Sequence, residues 1–272
     1  LIGESEGVRK YGLDRLGVPL VEVALAPFRN YSEAQNIALA LGRLMRMTGK
    51  VARGIGSIRQ DINISLAGGE IVEVKGVQQL DLISKIIDYE LVRQKGLIAL
   101  AMELKKRGIV FNNAADLPVD LTNLFRSTKN PLISSIISKN GVVYGVKMNG
   151  FKNLLKLEPY PGVRLGLEMA GIVKFYGLGG ILHSDELPAH GISKHDVDLV
   201  SNRLHMNEQD AFSIIAGEKK KVIDASKALV DRTKATVLGV QAETRGPTQD
   251  GKTKYIRPRP GASRMYPETD IL

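Results

Sequence analysis

The stretch Ser57-Ile58-Arg59-Gln60-Asp61-Ile62-Asn63-Ile64-Ser65-Leu66 constrains the fold more than any other part of the chain. Ile58, Ile62, Ile64 and Leu66 share one parity, while Ser57, Arg59, Asp61, Asn63 and Ser65 share the other. Alternate residues of a strand point to opposite faces, so the pattern predicts one apolar face and one row of hydroxyl, guanidinium, carboxylate and amide groups. Ala67-Gly68-Gly69 reads as a turn and 70–76 as the returning strand, with Glu73 and Lys75 on one face and Val72 and Val74 on the other. The product is a hairpin whose polar side gathers two carboxylates and two cations. From alternation alone, that side also reads as the solvated face of an ordinary antiparallel sheet.

Around this hairpin the chain supplies further elements. Residues 18–25 read as a strand by their branched side chains, with Glu22 as the single charge. A lone acid in a buried strand costs several kcal/mol unless paired, so Glu22 is on a wet face or functional. Ser32-Glu33-Ala34-Gln35 reads as a capping box opening a helix that carries Ile37, Leu41, Leu44 and Met45 and ends near Gly49. A second helix is expected over 79–107, on a stripe of Leu80, Ile83, Ile87 and Leu91, with Gly96 weakening or breaking it midway. Strand, helix, two strands and helix make a two-layer α+β unit. The Asn112–Pro118 stretch is a turn-rich joint, beyond which 142–148, 180–183 and 211–216 read as strands and 163–176, 193–204 and 218–234 as helices. This middle region has the size of a self-contained α+β domain. His183, His190, His195 and His205 all lie in it, and their spacing matches no common metal pattern. From Glu243 onward the chain reads as a loop in which prolines forbid a regular helix. Arg245, Arg257, Arg259 and Arg264 in it are either solvated or phosphate-facing.

Charge helps to narrow the partner. Lys and Arg outnumber Asp and Glu by 38 to 29, a net +9, which favours a polyanion and above all nucleic acid. Trp is absent and aromatics are 5%, so recognition by base stacking is not expected, and backbone or shape recognition fits better. No apolar run approaches the ~18 residues of a membrane span. The absence of Cys excludes disulfides and thiolate metal sites and suits an intracellular protein. At 272 residues the chain has room for about two domains, and its start at Leu1 and stop at Leu272 read as those of a piece of something longer.

Several motifs carry a resemblance. Pro19-Leu20-Val21-Glu22-Val23, then Gly56-Ser57-Ile58-Arg59-Gln60-Asp61-Ile62-Asn63-Ile64-Ser65, then Val72-Glu73-Val74-Lys75 resemble, in order, the B/E family of tRNA-dependent amidotransferase subunits. Gly76-Val77-Gln78-Gln79-Leu80-Asp81-Leu82-Ile83 and Arg264-Met265-Tyr266-Pro267-Glu268-Thr269-Asp270 resemble the archaeal E branch. Bacterial B subunits would carry Arg-Cys-Asp-Ala-Asn in the frame that here reads Arg59-Gln60-Asp61-Ile62-Asn63. Ile181-Leu182-His183-Ser184-Asp185-Glu186-Leu187-Pro188 resembles a domain that the E branch shares with bacterial aspartyl-tRNA synthetases.

The resemblance implies an α+β, glutamine-synthetase-like antiparallel-sheet cradle over 1–118, an inserted two-layer α+β domain over 119–236, and a return of the cradle over 237–272 that packs near 54–75. It implies a cytoplasmic, non-membrane ligase that uses ATP and Mg²⁺ to phosphorylate the glutamate of mischarged Glu-tRNA(Gln). An asparaginase-like amidase partner, in a heterotetramer of two of each subunit, supplies the ammonia that gives Gln-tRNA(Gln). By the same match Glu22, Asp61 and Glu73 are the expected metal ligands. Face and charge add Ser57, Arg59, Asn63 and Lys75 as candidates for phosphate or nucleotide contact, with Arg59, Lys75 and the three acids carrying the catalysis. Arg245, Arg257, Arg259 and Arg264 are expected to meet tRNA phosphate; the alternatives are pairing with Glu243, Glu268 or Asp270, or binding ATP phosphate. The rival function is a non-catalytic tRNA-binding module with merely solvated acids. Family segments that line the same pocket would precede Leu1, and those that grip the tRNA would follow Leu272.

Overall fold

The structure is a computed structural model that describes residues 3–5, 8–10, 21–28, 31–52, 54, 57–109 and 117–259. It forms two compact units, Leu1–Tyr31 and Ser32–Leu272. In the first, β1 (Gly3–Ser5) pairs antiparallel with β2 (Val8–Lys10). Val21, Val23 and Leu25 are exposed and belong to no strand, contrary to the reading of 18–25 over its described part, with 18–20 outside the described residues; branched residues favour a strand only where a neighbour pairs with it.

The second unit is α+β with sheets that are mostly antiparallel. A short 3-10 turn over Tyr31–Glu33 leads into α1 (Ala34–Met47). The 3-10 turn puts the N-cap of α1 at Glu33, one residue beyond the expected Ser32, and the Glu33 side chain makes no cap hydrogen bond. The hairpin is real but shorter than its alternation suggests: β3 is Ile62–Ile64 and β4 is Val72–Val74. Ile62 faces Val74, Asn63 faces Glu73 and Ile64 faces Val72. Next, α2 (Leu80–Lys106) runs unbroken for 27 residues, about 40 Å. Gly96 does not break it. A Cβ there would stand 1.8 Å from the Pro159 carbonyl oxygen, so the glycine lets the helix approach that backbone.

In the middle region β5 (Val119–Asp120), β6 (Val142–Met148), β7 (Leu182–His183) and β8 (Ala211–Gly217) form an antiparallel sheet in the order β5-β6-β8-β7. Helices α3 (Pro131–Ser138), α4 (Leu165–Phe175), α5 (Lys194–Arg203) and α6 (Lys219–Thr236) accompany it. Here a capping box does form, between Ser193 and Asp196 at the start of α5.

The closing segment differs from its reading. It is not a loop up to Pro258 but a hairpin of β9 (Glu243–Pro247) and β10 (Thr253–Pro258) around a turn at Asp250-Gly251. Prolines at the ends of both strands are compatible with ladder pairing, since neither occupies a central position. β9 joins β4 in parallel, which gives a four-stranded sheet ordered β10-β9-β4-β3.

The apolar clusters run across position 118. One takes Val72 from β4, Leu97, Leu100 and Leu104 from α2, Val146 and Met148 from β6, Met169 from α4 and Leu229 from α6. A second cluster fills the opposite side of the middle sheet with Phe125, Ile133, Val143 and Phe212. A third holds Ile64, Val74, Ile83 and Ile86 between the hairpin and the start of α2. The apolar parity of the hairpin is thus its inward face. Among the described residues no helix is long and apolar enough to cross a membrane.

Candidate functional site

Lateral neighbours in a sheet share a face, so the register places the polar side chains. Asn63, Glu73, Thr244 and Arg257 stand opposite one another across β3, β4, β9 and β10. They form one row across the outward face. Beside it Lys75 Nζ lies 3.4 Å from Asp61 Oδ2 and 3.4 Å from Glu73 Oε1. The backbone N–H of Gly76 donates to Asp61 Oδ1 at 2.9 Å, and the Thr244 hydroxyl donates to Glu73 Oε2 at 3.0 Å. Two carboxylates are thereby held with a lysine between them. Their side chains are neither sealed nor fully wet, with Asp61 at 31%, Lys75 at 38% and Glu73 at 17% exposure.

The other expected site residues are placed less centrally. Arg59 is exposed in the coil leading into β3, because the strand that was to align it with Asp61 begins only at Ile62. Asn63 is exposed within the row. The Ser57 hydroxyl donates to the Gly54 carbonyl at 2.8 Å, which closes a local bend. Glu22 is exposed in the first unit. Among the described residues no group of three His, Asp or Glu side chains is arranged to hold a metal ion. Asp61 and Glu73 nevertheless offer hard oxygen donors, and one or two carboxylates completed by substrate phosphates is the usual way proteins hold Mg²⁺. Arg264 lies outside the described residues, and Arg259 is exposed just after β10.

Arg245 is a correction. It is 1% exposed on the inward face of β9, with Glu243 and not with phosphate as its partner. Around it lies a cluster of three arginines and three glutamates that binds α2, α4, α6 and β9 together. The Arg93 guanidinium donates to Glu90 Oε1 at 2.6 Å, to Glu168 Oε1 at 2.6 Å and to Glu243 Oε1. Arg245 donates to Glu243 Oε1 at 2.7 Å, to Glu168 Oε1 at 3.0 Å and to the Thr253 hydroxyl at 2.8 Å. The Thr253 hydroxyl in turn donates to Glu90 Oε2 at 2.9 Å, and the Tyr160 hydroxyl donates to Glu168 Oε2 at 2.7 Å. Arg232 stands 2.7 Å from Glu243 Oε2, close in charge but out of line for a hydrogen bond.

Burial alone would raise both carboxyls. Arg245, Arg93 and Arg232 outweigh it at Glu168 and hold its carboxyl well below the usual range. At Glu243 the same three arginines, Arg232 foremost, bring the pKa down to about 2. Opposite charges within a few ångströms favour the ionised forms of Glu168 and Glu243. Thr244 was not picked out from the sequence, and of this cluster only the pairing of an arginine with Glu243 was, as an alternative to phosphate binding. The period-2 alternation of Glu243, Thr244, Arg245 and Gly246 was the available signal for Thr244. Two partners of Arg245, Glu168 on α4 and Glu90 on α2, lie 77 and 155 residues away, where no local pattern points to them.

Comparisons with known proteins agree with the motifs. The family model described as the GatB/GatE catalytic domain matches residues 2–272. The chain is 42% identical, over 99% of its length, to the E-type glutamyl-tRNA(Gln) amidotransferase subunit of Aeropyrum pernix, of which it covers 43%. It is 44% identical over 99% of its length to the E-type subunit of Archaeoglobus fulgidus, covering 43% of it, and 45% identical over its full length to that of Sulfolobus acidocaldarius, covering 44%. The chain thus spans a little under half the length of these curated relatives. A match over nearly every residue, with Asp61, Glu73 and Lys75 gathered on one sheet face, places the chain in the GatB/GatE catalytic-domain family.

Proposed function

We propose that this chain is the activating core of a tRNA-dependent amidotransferase, acting on the glutamate of Glu-tRNA(Gln). The observation that carries the proposal is the outward face of the β10-β9-β4-β3 sheet, where Asp61 and Glu73 share Lys75. Its relatives are named for glutamyl-tRNA(Gln) amidotransferase, and a carboxylate must be activated before ammonia can replace its oxygen. A carboxylate oxygen of the glutamate attacks the terminal phosphorus of ATP and ADP departs. Ammonia then attacks the acyl carbon, and phosphate leaves as the nitrogen gives up a proton.

Each residue of the face has a task in this scheme. Lys75 presents a compact positive charge to phosphate oxygens, and Glu73 is kept in place by Thr244. Asp61 is oriented by the Gly76 N–H and Lys75. Asp61 and Glu73 would hold Mg²⁺, whose role when bound is to neutralise charge on the phosphates. Ser57, Arg59 and Asn63 are proposed for the site through face and charge, and Glu22 is proposed as a metal ligand on the family motif alone. An asparaginase-like amidase partner is the proposed ammonia source, in a heterotetramer in the cytoplasm. The glutamine-synthetase-like cradle is supported by a sheet assembled from 62–74 and 243–258, with 119–236 lying between its two halves in the chain. Arg259 and Arg264 remain the proposed contacts to tRNA phosphate.

The test is ATP-dependent, ammonia-supported conversion of Glu-tRNA(Gln) by the full-length protein with its partner, compared with the Asp61→Asn variant. Turnover is expected to fall by at least a hundredfold while tRNA binding persists. Undiminished turnover would leave a tRNA-binding module whose acids are only solvated, the rival reading.

A further inference from the structure

A register shift on β10 sets one arginine apart. Tyr255 pairs with Arg245 of β9, but the next pair along is Arg257 with Thr244, so β10 spends two residues where β9 spends one. Such an extra residue re-aims the side chains that follow it. Without the shift, Arg257 would lie on the opposite face from Ile256 by simple alternation. With it, Arg257 stands opposite Thr244, in the row that ends in Glu73 and Asn63. The row crosses four strands, a span of about 14 Å. The displaced Ile256 lies over Gly246, where an added Cβ would meet its Cδ1 at 2.9 Å. Packing at the shift therefore holds this part of β10 against β9.

Among the described residues no partner explains the placement of the guanidinium. Arg257 Nε is buried and makes no hydrogen bond, and among the described residues no carboxylate pairs with Arg257. The neighbouring cation on this face, Lys75, is already shared between Asp61 and Glu73. A desolvated donor left unmet is unfavourable, and a guanidinium fork matches phosphate oxygens in geometry as well as charge.

We infer that Arg257 is the anion-binding end of this face and takes phosphate oxygens of the nucleoside triphosphate, not of tRNA. The assignment rests on the proposed activation chemistry for its ligand, but the placement of the arginine does not depend on it. Arg257→Gln and Arg257→Lys are made in the full-length protein with its partner, and binding of inorganic tripolyphosphate, ATP with Mg²⁺, and tRNA across a salt series is measured. In Arg257→Gln, tripolyphosphate and ATP are expected to bind about ten- to a hundredfold more weakly, the loss of a charge-assisted pair. Affinity for tRNA and its salt slope should stay as in the parent. Arg257→Lys keeps the charge without the fork and should fall between the two, and it carries the test if the glutamine variant does not fold.

Parental tripolyphosphate affinity in the folded variants overturns the inference. So does weakened tRNA binding with a shallower salt slope and unchanged tripolyphosphate binding, which would make Arg257 an RNA contact. Loss of tripolyphosphate binding in Arg257→Gln alongside undiminished turnover in Asp61→Asn supports the anion site and defeats only the role given to the acids.

Discussion

The two faces of the sheet around β9 both gather acids and bases and put them to opposite uses. Inward, Glu243 and Arg245 are 1% exposed each and sit among four further charges, with every arginine met by a carboxylate. Outward, Thr244 between them touches Glu73, in a group that water reaches. Paired and dry charges define geometry, because any loss leaves an uncompensated ion in a low-dielectric interior. Half-wet charges beside a guanidinium that no described carboxylate pairs with define a place where a ligand can complete the pairing. An arginine's neighbours, more than its identity, decide which of these it does.

The comparison makes predictions that can be ranked by their effect on stability. Arg93→Ala is the largest. It strips Glu90, Glu168 and Glu243 of a common partner and should cost about 3–5 kcal/mol, seen as a fall of roughly 10 °C in thermal midpoint. A midpoint within about 2 °C of the parent would show that the inward cluster does not hold the fold, and the contrast between the faces would collapse. Gly96→Ala follows. The added methyl meets backbone at Pro159 and not a movable side chain, so destabilisation of about 2–3 kcal/mol is expected despite the better helix propensity of alanine.

Acid is the next lever. Glu243 has a folded pKa of about 2 against an ordinary 4.5, a depressed value. Its contribution is therefore complete above pH 4.5 and is lost as the pH falls toward 2. Urea titrations between those limits should show stability dropping with acid, and Glu243→Gln should flatten that dependence while lowering stability throughout. The smallest effect belongs to the outward face. Lys75→Gln removes ion pairs that are about a third exposed, and the free energy of unfolding should fall by no more than about 1 kcal/mol. A larger loss would sharpen the comparison in an unexpected direction, by making the outward group part of the scaffold.

Much of this was readable from local pattern. The hairpin at 62–74 follows from strict alternation plus Gly68-Gly69, and β6, β8, α5 and α6 from runs whose period leaves little choice. The polar side of β3 and β4 was legible because Asp61, Asn63, Glu73 and Lys75 are close in sequence as well as in space. The failures share a cause. Arg245 resembled the exposed arginines after it because, besides Glu243, its partners Glu168 and Glu90 come from two distant helices, and composition cannot reveal a partner. Gly96 looked like a helix breaker because its reason for being small is the backbone at Pro159, 63 positions away in the chain. The 243–258 hairpin was hidden by prolines that fall at strand ends.

The Thr244 to Glu73 hydrogen bond joins residues 171 positions apart, and the strands that carry them run parallel. This has a consequence for the order in which the protein is made. When β3 and β4 leave the ribosome, the flank of β4 that β9 will cover is an open ladder, and it stays open while the whole middle region is synthesised and folds. An exposed edge of that kind invites pairing with other chains. Long-range parallel pairing is also among the slower steps available to a folding chain. Nascent chains halted before Glu243 would hold Asp61, Glu73 and Lys75 but not the strand that pairs with β4, so the outward row and the cover of that edge are completed together, once β9 has emerged.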